Sequence, residues 1–278
     1  MNAADCSKAG AGPEHCVRWS IPAAWRRMDK PATRRKGIYL LPNLVTTAGL
    51  FAGFYAIVAS IDGNFQASAL AILSAMILDG LDGRVARLTS TASEFGKEYD
   101  SLADMVSFGV APAIVTYQWG VERLAEYGAI WERLGWLAAF LYAAAAAFRL
   151  ARFNTNVAQD KRFFQGLASP AAAAGVASMV WLATHYGING LVGLVAGITV
   201  TGVAGLLMMS RFAYLSFKDV SVAKRLRFAN LLVIPLVIMI IAVEPPVTIF
   251  VLFLIYASSG PVAWLWRRGK LGSLPQGL

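Results

Sequence analysis

Long apolar runs constrain this chain more than any other feature. From Leu40 to Ile61 no Asp, Glu, Lys or Arg occurs. In an α-helix such a run is about long enough to cross the ~30 Å hydrocarbon core of a bilayer. Inside that core the backbone must satisfy its own hydrogen bonds, so a spanning segment is helical or part of a closed barrel. Comparable runs recur at roughly 65–83, 100–120, 132–152, 168–186, 188–210, 227–243 and 246–266. The chain therefore reads as an all-α polytopic membrane protein with about eight transmembrane helices. Its composition agrees, with 57% hydrophobic residues, 15% charged residues and a mean hydropathy of +0.56. The segments between the runs are short, which predicts one membrane domain and no second soluble one.

The net charge of +9 is a topology signal. With both termini on one side, that side holds 23 of the 25 Lys and Arg residues, leaving Arg123 and Arg133 on the other among Glu122, Glu126 and Glu132. By the positive-inside rule both termini are cytoplasmic, and no nucleic-acid partner is needed to account for the basic balance. Residues 1–36 form a basic cytoplasmic arm without the apolar core of a signal peptide. Its Trp19 and Trp25 and basic residues suit an anionic membrane surface; a disordered leader is the other reading. Cys6 and Cys16 have no ligand cluster around them, and His15 and His185 are the only histidines, so zinc and histidine catalysis are excluded as organising features. Gly49-x-x-x-Gly53 and Gly193-x-x-x-Gly197 are spacings that let helices approach closely.

Against this background four aspartates stand out. Asp79 and Asp82 are three residues apart and share one face of the second helix; Asp100 and Asp104 are four apart and share one face of the third, with Asp100 expected at its start. If the second helix runs inward from Phe65, Asp79 lies roughly 21 Å along it, towards the cytoplasmic side. The pairs then meet at similar depth, where four carboxylates would repel. Protonation or pairing with Arg84 or Arg87 would relieve this. A hard divalent cation (Mg²⁺, Mn²⁺ or Ca²⁺) does so better, since the cluster offers carboxylate oxygens without thiols or imidazoles. Four carboxylates have room for two ions, an arrangement that clamps phosphoryl oxygens. The neighbours suit phosphate: Gly83 admits a ligand to the backbone, Arg87 can pair with a phosphate oxygen, and Ser93 offers a hydroxyl. Asn43, Thr46 and Thr47 open the first helix at the same level behind Pro42. A cation transporter is the rival from another class, but it predicts carboxylates at several depths.

Asp79, Asp82, Gly83, Ala86, Arg87, Gly96, Asp100 and Asp104 keep every spacing of D-x-x-D-G-x-x-A-R-x(8)-G-x(3)-D-x(3)-D. The chain thus resembles the CDP-alcohol phosphotransferase family. The resemblance implies a six-helix core over 37–210, followed by two additional C-terminal transmembrane helices within 211–270 and a tail at 271–278. It implies two divalent metal ions, Mg²⁺ or Mn²⁺, held by Asp79, Asp82, Asp100 and Asp104, with Asp104 also the general base. It further implies contacts to CDP-diacylglycerol from Asn43, Thr46, Gly83, Arg87 and Ser93, and a homodimer in membrane lipid.

The acceptor alcohol has its own stretch. Phe148–Ala174 resembles the R-x-A-R-F-N … F-x-G-L-P-S-P-A-A-A pattern of the integral-membrane phosphatidylserine synthase branch, with Ala168 in place of its first proline. That resemblance implies L-serine as acceptor and phosphatidylserine and CMP as products; glycerol 3-phosphate or inositol is the alternative. A serine carboxylate needs cationic or donor-rich contacts, for which Arg149, Arg152, Asn154 and Ser169 are candidates. Ordinary positive-inside anchoring is the other reading of both arginines.

Overall fold

The computed structural model describes residues 40–88, 93–121, 125–155, 163–188, 190–215, 239 and 242–271. The basic arm and most of the predicted span at 227–243, of the 211–227 loop and of the C-terminal tail lie outside the described residues.

The chain forms α1 (Leu40–Ile61), α2 (Phe65–Leu88), α3 (Glu94–Asp104), α4 (Ala111–Thr116), α5 (Ala129–Thr155), α6 (Ser169–His185), α7 (Leu191–Met209) and α8 (Pro245–Leu271). Two wider π-helical turns, Met105–Val110 and Tyr117–Val121, join α3 to α4 and extend α4. Among the described residues, helical runs occupy seven of the eight predicted spans, and five helices are long and apolar enough to cross a membrane. This is a multi-pass helical membrane protein.

Two differences from the sequence expectation matter. Asp100 is not at the start of its helix: Ser93 caps α3 by accepting the Gly96 amide at 3.0 Å, which starts the helix at Glu94 and puts Asp100 well inside it. The chain is also not wholly helical. Phe163–Gln165 (β1) pairs antiparallel with Ala213–Leu215 (β2), tying the segment before α6 to the segment after α7. Gly166, at φ +84°, makes the turn out of β1; a Cβ there would run into the Met208 carbonyl.

Close helix approach at small residues organises the packing, as expected where lipid removes the hydrophobic drive between helices. α1 and α2 form a tight antiparallel pair. Gly63, at φ +76°, turns the chain, and Asn64 Oδ1 accepts the Ala67 amide to open α2. On α1, Gly49 faces Ala75 and Leu78 of α2, while Gly53 faces Ser107, where a Cβ would collide with the Ser107 backbone. On α7, Gly197 seats the Trp119 ring and Gly205 lies against the Tyr142 backbone of α5. One apolar cluster, with Ile72, Phe108, Trp119 and Val180, backs the aspartates; a second, with Tyr142, Val176, Met208 and Tyr214, backs the arginines.

Candidate active site

Three of the four aspartates converge. Asp79 and Asp82 come from α2 and Asp100 from α3, and one carboxylate oxygen of each lies within 4.8 Å of the others. Asp82 is buried, with Asp79 and Asp100 half-buried. Three carboxylates this close, partly withdrawn from water, are unfavourable as bare anions. The set is all oxygen and acidic, which fits a hard divalent cation.

Local sequence holds Asp82 and ties the helices around it. Thr46, buried on α1, donates to Asp82 Oδ2 at 2.8 Å while also facing the Pro42 carbonyl at 3.1 Å. Thr47 shares a hydrogen bond of 2.9 Å with the Tyr99 hydroxyl and ties α1 to α3. Asp104 ends α3 and lines the same small cavity as Asp79, Asp82, Asp100 and Thr46. Directly after it the helix widens into its π-helical turn, a feature that often marks functional sites. Neighbouring elements brace this turn: Ser107 donates to the Gly49 carbonyl at 3.2 Å, and Tyr142 of α5 donates to the Phe108 carbonyl at 3.0 Å.

The predicted donor residues fall around this cluster. Asn43 and Ser93 meet at Gly96, where an added Cβ would stand 3.1 Å from Ser93 Oγ and 3.4 Å from Asn43 Oδ1. The glycine of the signature therefore keeps two polar side chains close together. Gly83 is the opposite case. It is exposed, and among the described residues an added Cβ would meet nothing within 4 Å, so their packing does not account for its lack of a side chain. Arg87 lies on α2, but its side chain is outside the described residues.

The predicted acceptor residues split into two groups. Arg149, near the end of α5, donates from Nη1 to the buried Ser169 Oγ at 2.5 Å. Among the described residues its buried Nε has no hydrogen-bond partner. Arg149 also lies within electrostatic reach of Asp104, so it borders the carboxylate cluster on one side. On its other side it lines a cavity with Phe148, Arg152, Met208, Met209 and Arg211. Asn154 is placed differently: its Nδ2 donates to Ser101 Oγ at 3.0 Å, beside Asp100. Arg211 was missed by sequence reasoning, because a lone arginine after an apolar run reads as an interfacial anchor. Thr46 was singled out for the donor, whereas its hydroxyl proton is directed at Asp82.

Residues 39–210 match the family model described as CDP-alcohol phosphatidyltransferase. A Helicobacter pylori protein named CDP-diacylglycerol–serine O-phosphatidyltransferase is 36% identical over 237 residues, covering 84% of this chain and 94% of its own. A Mycobacterium tuberculosis protein of the same name is 34% identical over 244 residues, covering 85% of this chain and 82% of its own. An archaetidylserine synthase of Methanothermobacter thermautotrophicus is 37% identical over 140 residues, half of this chain.

Proposed function

The chain belongs to the CDP-alcohol phosphatidyltransferase family, and from that premise we propose that it transfers the phosphatidyl group of CDP-diacylglycerol to the hydroxyl of L-serine, giving phosphatidylserine and CMP. The carrying observation is the convergence of Asp79, Asp82 and Asp100 on a cavity shared with Asp104, with the Arg149–Ser169 pair next to it. The serine assignment draws on the names of relatives that align over most of this chain.

Asp79, Asp82, Asp100 and Asp104 are the residues that would hold two divalent ions, Mg²⁺ or Mn²⁺. Bound there, the ions would neutralise charge on the phosphoryl oxygens and on departing CMP. The chain's own groups supply the rest. Asn43, Gly83, Arg87 and Ser93 bind the CDP portion of the donor, and Thr46 orients Asp82. Arg149, with Ser169 fixing one of its nitrogens, receives the serine carboxylate through the remaining donors of its guanidinium. Arg152 adds charge to that cavity, and Asn154 holds Ser101 beside Asp100. Asp104 takes the proton of the serine hydroxyl. The serine oxygen attacks the β-phosphorus, the bond from that phosphorus to the CMP oxygen breaks, and CMP leaves with the electron pair.

The reading also includes cytoplasmic termini and a cytoplasmic active site in a cell membrane, a homodimer in membrane lipid, and the division into arm (1–36), core (37–210), two further helices (211–270) and tail (271–278). A second acceptor reading has its own support: three arginines line one cavity, which suits a phosphorylated alcohol such as glycerol 3-phosphate. Purified protein in vesicles with CDP-diacylglycerol, Mg²⁺ or Mn²⁺ and labelled serine tests the choice. Labelled phosphatidylserine with equimolar CMP is expected, lost on chelation. Label entering lipid from glycerol 3-phosphate or inositol, and none from serine, would sink the serine assignment.

A further inference from the structure

The last helix, α8, lies beyond the residues matched by the family model, yet it packs where Arg149 and Ser169 are held. Its contact face recurs at helical spacing through Phe253, Tyr256, Ala257 and Gly260. The Phe253 ring fills the notch left by Gly175 on α6, where an added Cβ would collide with it. Further along, the Tyr214 ring of β2 lies against Gly260, where again no Cβ fits. The Tyr214 hydroxyl donates to the Ala257 carbonyl at 3.0 Å. Burial pushes this phenol up to about 12, with neighbouring Tyr256 adding to the effect, so it remains a donor at physiological pH. Two contacts therefore fix the rotation and height of α8 against α6 and the ribbon.

Tyr256 sits between these two contacts. Its ring is 5.4 Å from that of Tyr214, and it is half-buried against the cluster that contains Tyr142. That cluster includes Ala145 and Ala146 of α5, one turn before Arg149, and Leu167 and Ala172, which flank Ser169. Arg149 bonds Ser169, and Asp104, Tyr142 and Tyr256 lie within its electrostatic reach. The Tyr142 hydroxyl proton is already given to Phe108. A phenol oxygen can accept, whereas a guanidinium only donates. Arginine carries about 2 kcal/mol of rotamer entropy, so a group that narrows its choices preorganises whatever it binds.

We propose that Tyr256 is a positioning residue for Arg149, and that α8 thereby completes the acceptor end of the site from outside the family core. The proposal rests on the acceptor reading of Arg149 given above. Tyr256→Phe keeps the ring on Tyr214 and removes only the hydroxyl.

The test uses the full chain in vesicles. Wild type is assayed with serine, glycerol 3-phosphate and inositol, and each variant with the alcohol that wild type uses. For Tyr256→Phe the acceptor KM rises about 3- to 10-fold, as for loss of one polar neighbour of a charged group. The KM for CDP-diacylglycerol and the melting temperature in detergent stay at wild-type values. Tyr256→Ala raises the acceptor KM at least as far and also lowers the melting temperature. An unchanged acceptor KM in Tyr256→Phe, or equal rises in both KM values, overturns the proposal. A wild type that uses glycerol 3-phosphate and not serine sinks the serine reading alone; Tyr256 is then judged by the KM for that alcohol.

Discussion

Two charged clusters of opposite sign adjoin, with Arg149 within electrostatic reach of Asp104, and they are assembled in different ways. The carboxylates come from two helices joined by one short connection, with Thr46 of the preceding helix braced against Asp82. The arginines come from the end of α5 and the segment after α7, and Arg149 takes its partner Ser169 from α6. The first cluster is written in a continuous signature; the second exists only once distant segments have packed. Chemistry shared by a family needs an invariant geometry, and helical spacing provides it locally. On the proposed reading, choice among acceptors falls to side chains on several elements, each of which can vary alone.

The largest effect should come from the carboxylate side. Asp104→Asn keeps size and hydrogen-bonding capacity but removes the base. Turnover should fall by about 10²- to 10⁴-fold, while CDP-diacylglycerol still binds, as measured by retention of labelled donor on the purified variant. A loss of less than tenfold would move the base elsewhere and dissolve the division between the two clusters.

On the arginine side the effect should be smaller and selective. Arg149→Ala removes a charged donor worth about 1.5–3 kcal/mol, and the acceptor KM should rise on the order of 10- to 100-fold. The donor KM should change far less, and Arg149→Lys should recover only part of the loss, because an ammonium lacks the planar fork. If the donor KM rises instead, Arg149 serves the diphosphate, and the clusters divide the substrates differently from the proposal.

These two clusters were not equally legible in the sequence. The spans of α1, α2, α5 and α7 follow from apolar length alone, and the aspartate pairs follow from spacings of three and four. The start of α3 was missed because Glu94–Tyr99 is polar and offers no apolar run; the signal was the cap at Ser93, read there only as a phosphate ligand. The ribbon of Phe163–Gln165 with Ala213–Leu215 could not be read, since strands of three residues are defined by their partner. Arg149 and Ser169 were both singled out, but their mutual hydrogen bond depends on how α5 meets α6, which no local pattern encodes. Arg211 and Tyr256 belong to the same class. Each looks ordinary in its own segment and acquires meaning from what packs beside it.

Two glycines on the carboxylate side sharpen the comparison further, with the smallest expected effects. At Gly53 an added Cβ would stand 2.7 Å from the Ser107 Cα, so Gly53→Ala must push α1 away from the π-helical turn after Asp104. Overpacking of this kind costs about 1–3 kcal/mol, and the melting temperature should fall. At Gly83 the added methyl meets no neighbour within 4 Å among the described residues, and alanine is the better helix former by about 1 kcal/mol. Gly83→Ala should therefore melt at or slightly above the wild-type temperature while its KM for CDP-diacylglycerol rises a few-fold, on the order of 1 kcal/mol. Stability and donor affinity would then move in opposite directions at one position, as expected of a glycine retained for a ligand. A donor KM unchanged in Gly83→Ala would leave that glycine without a function and shift the donor site towards Asn43, Ser93 and Gly96.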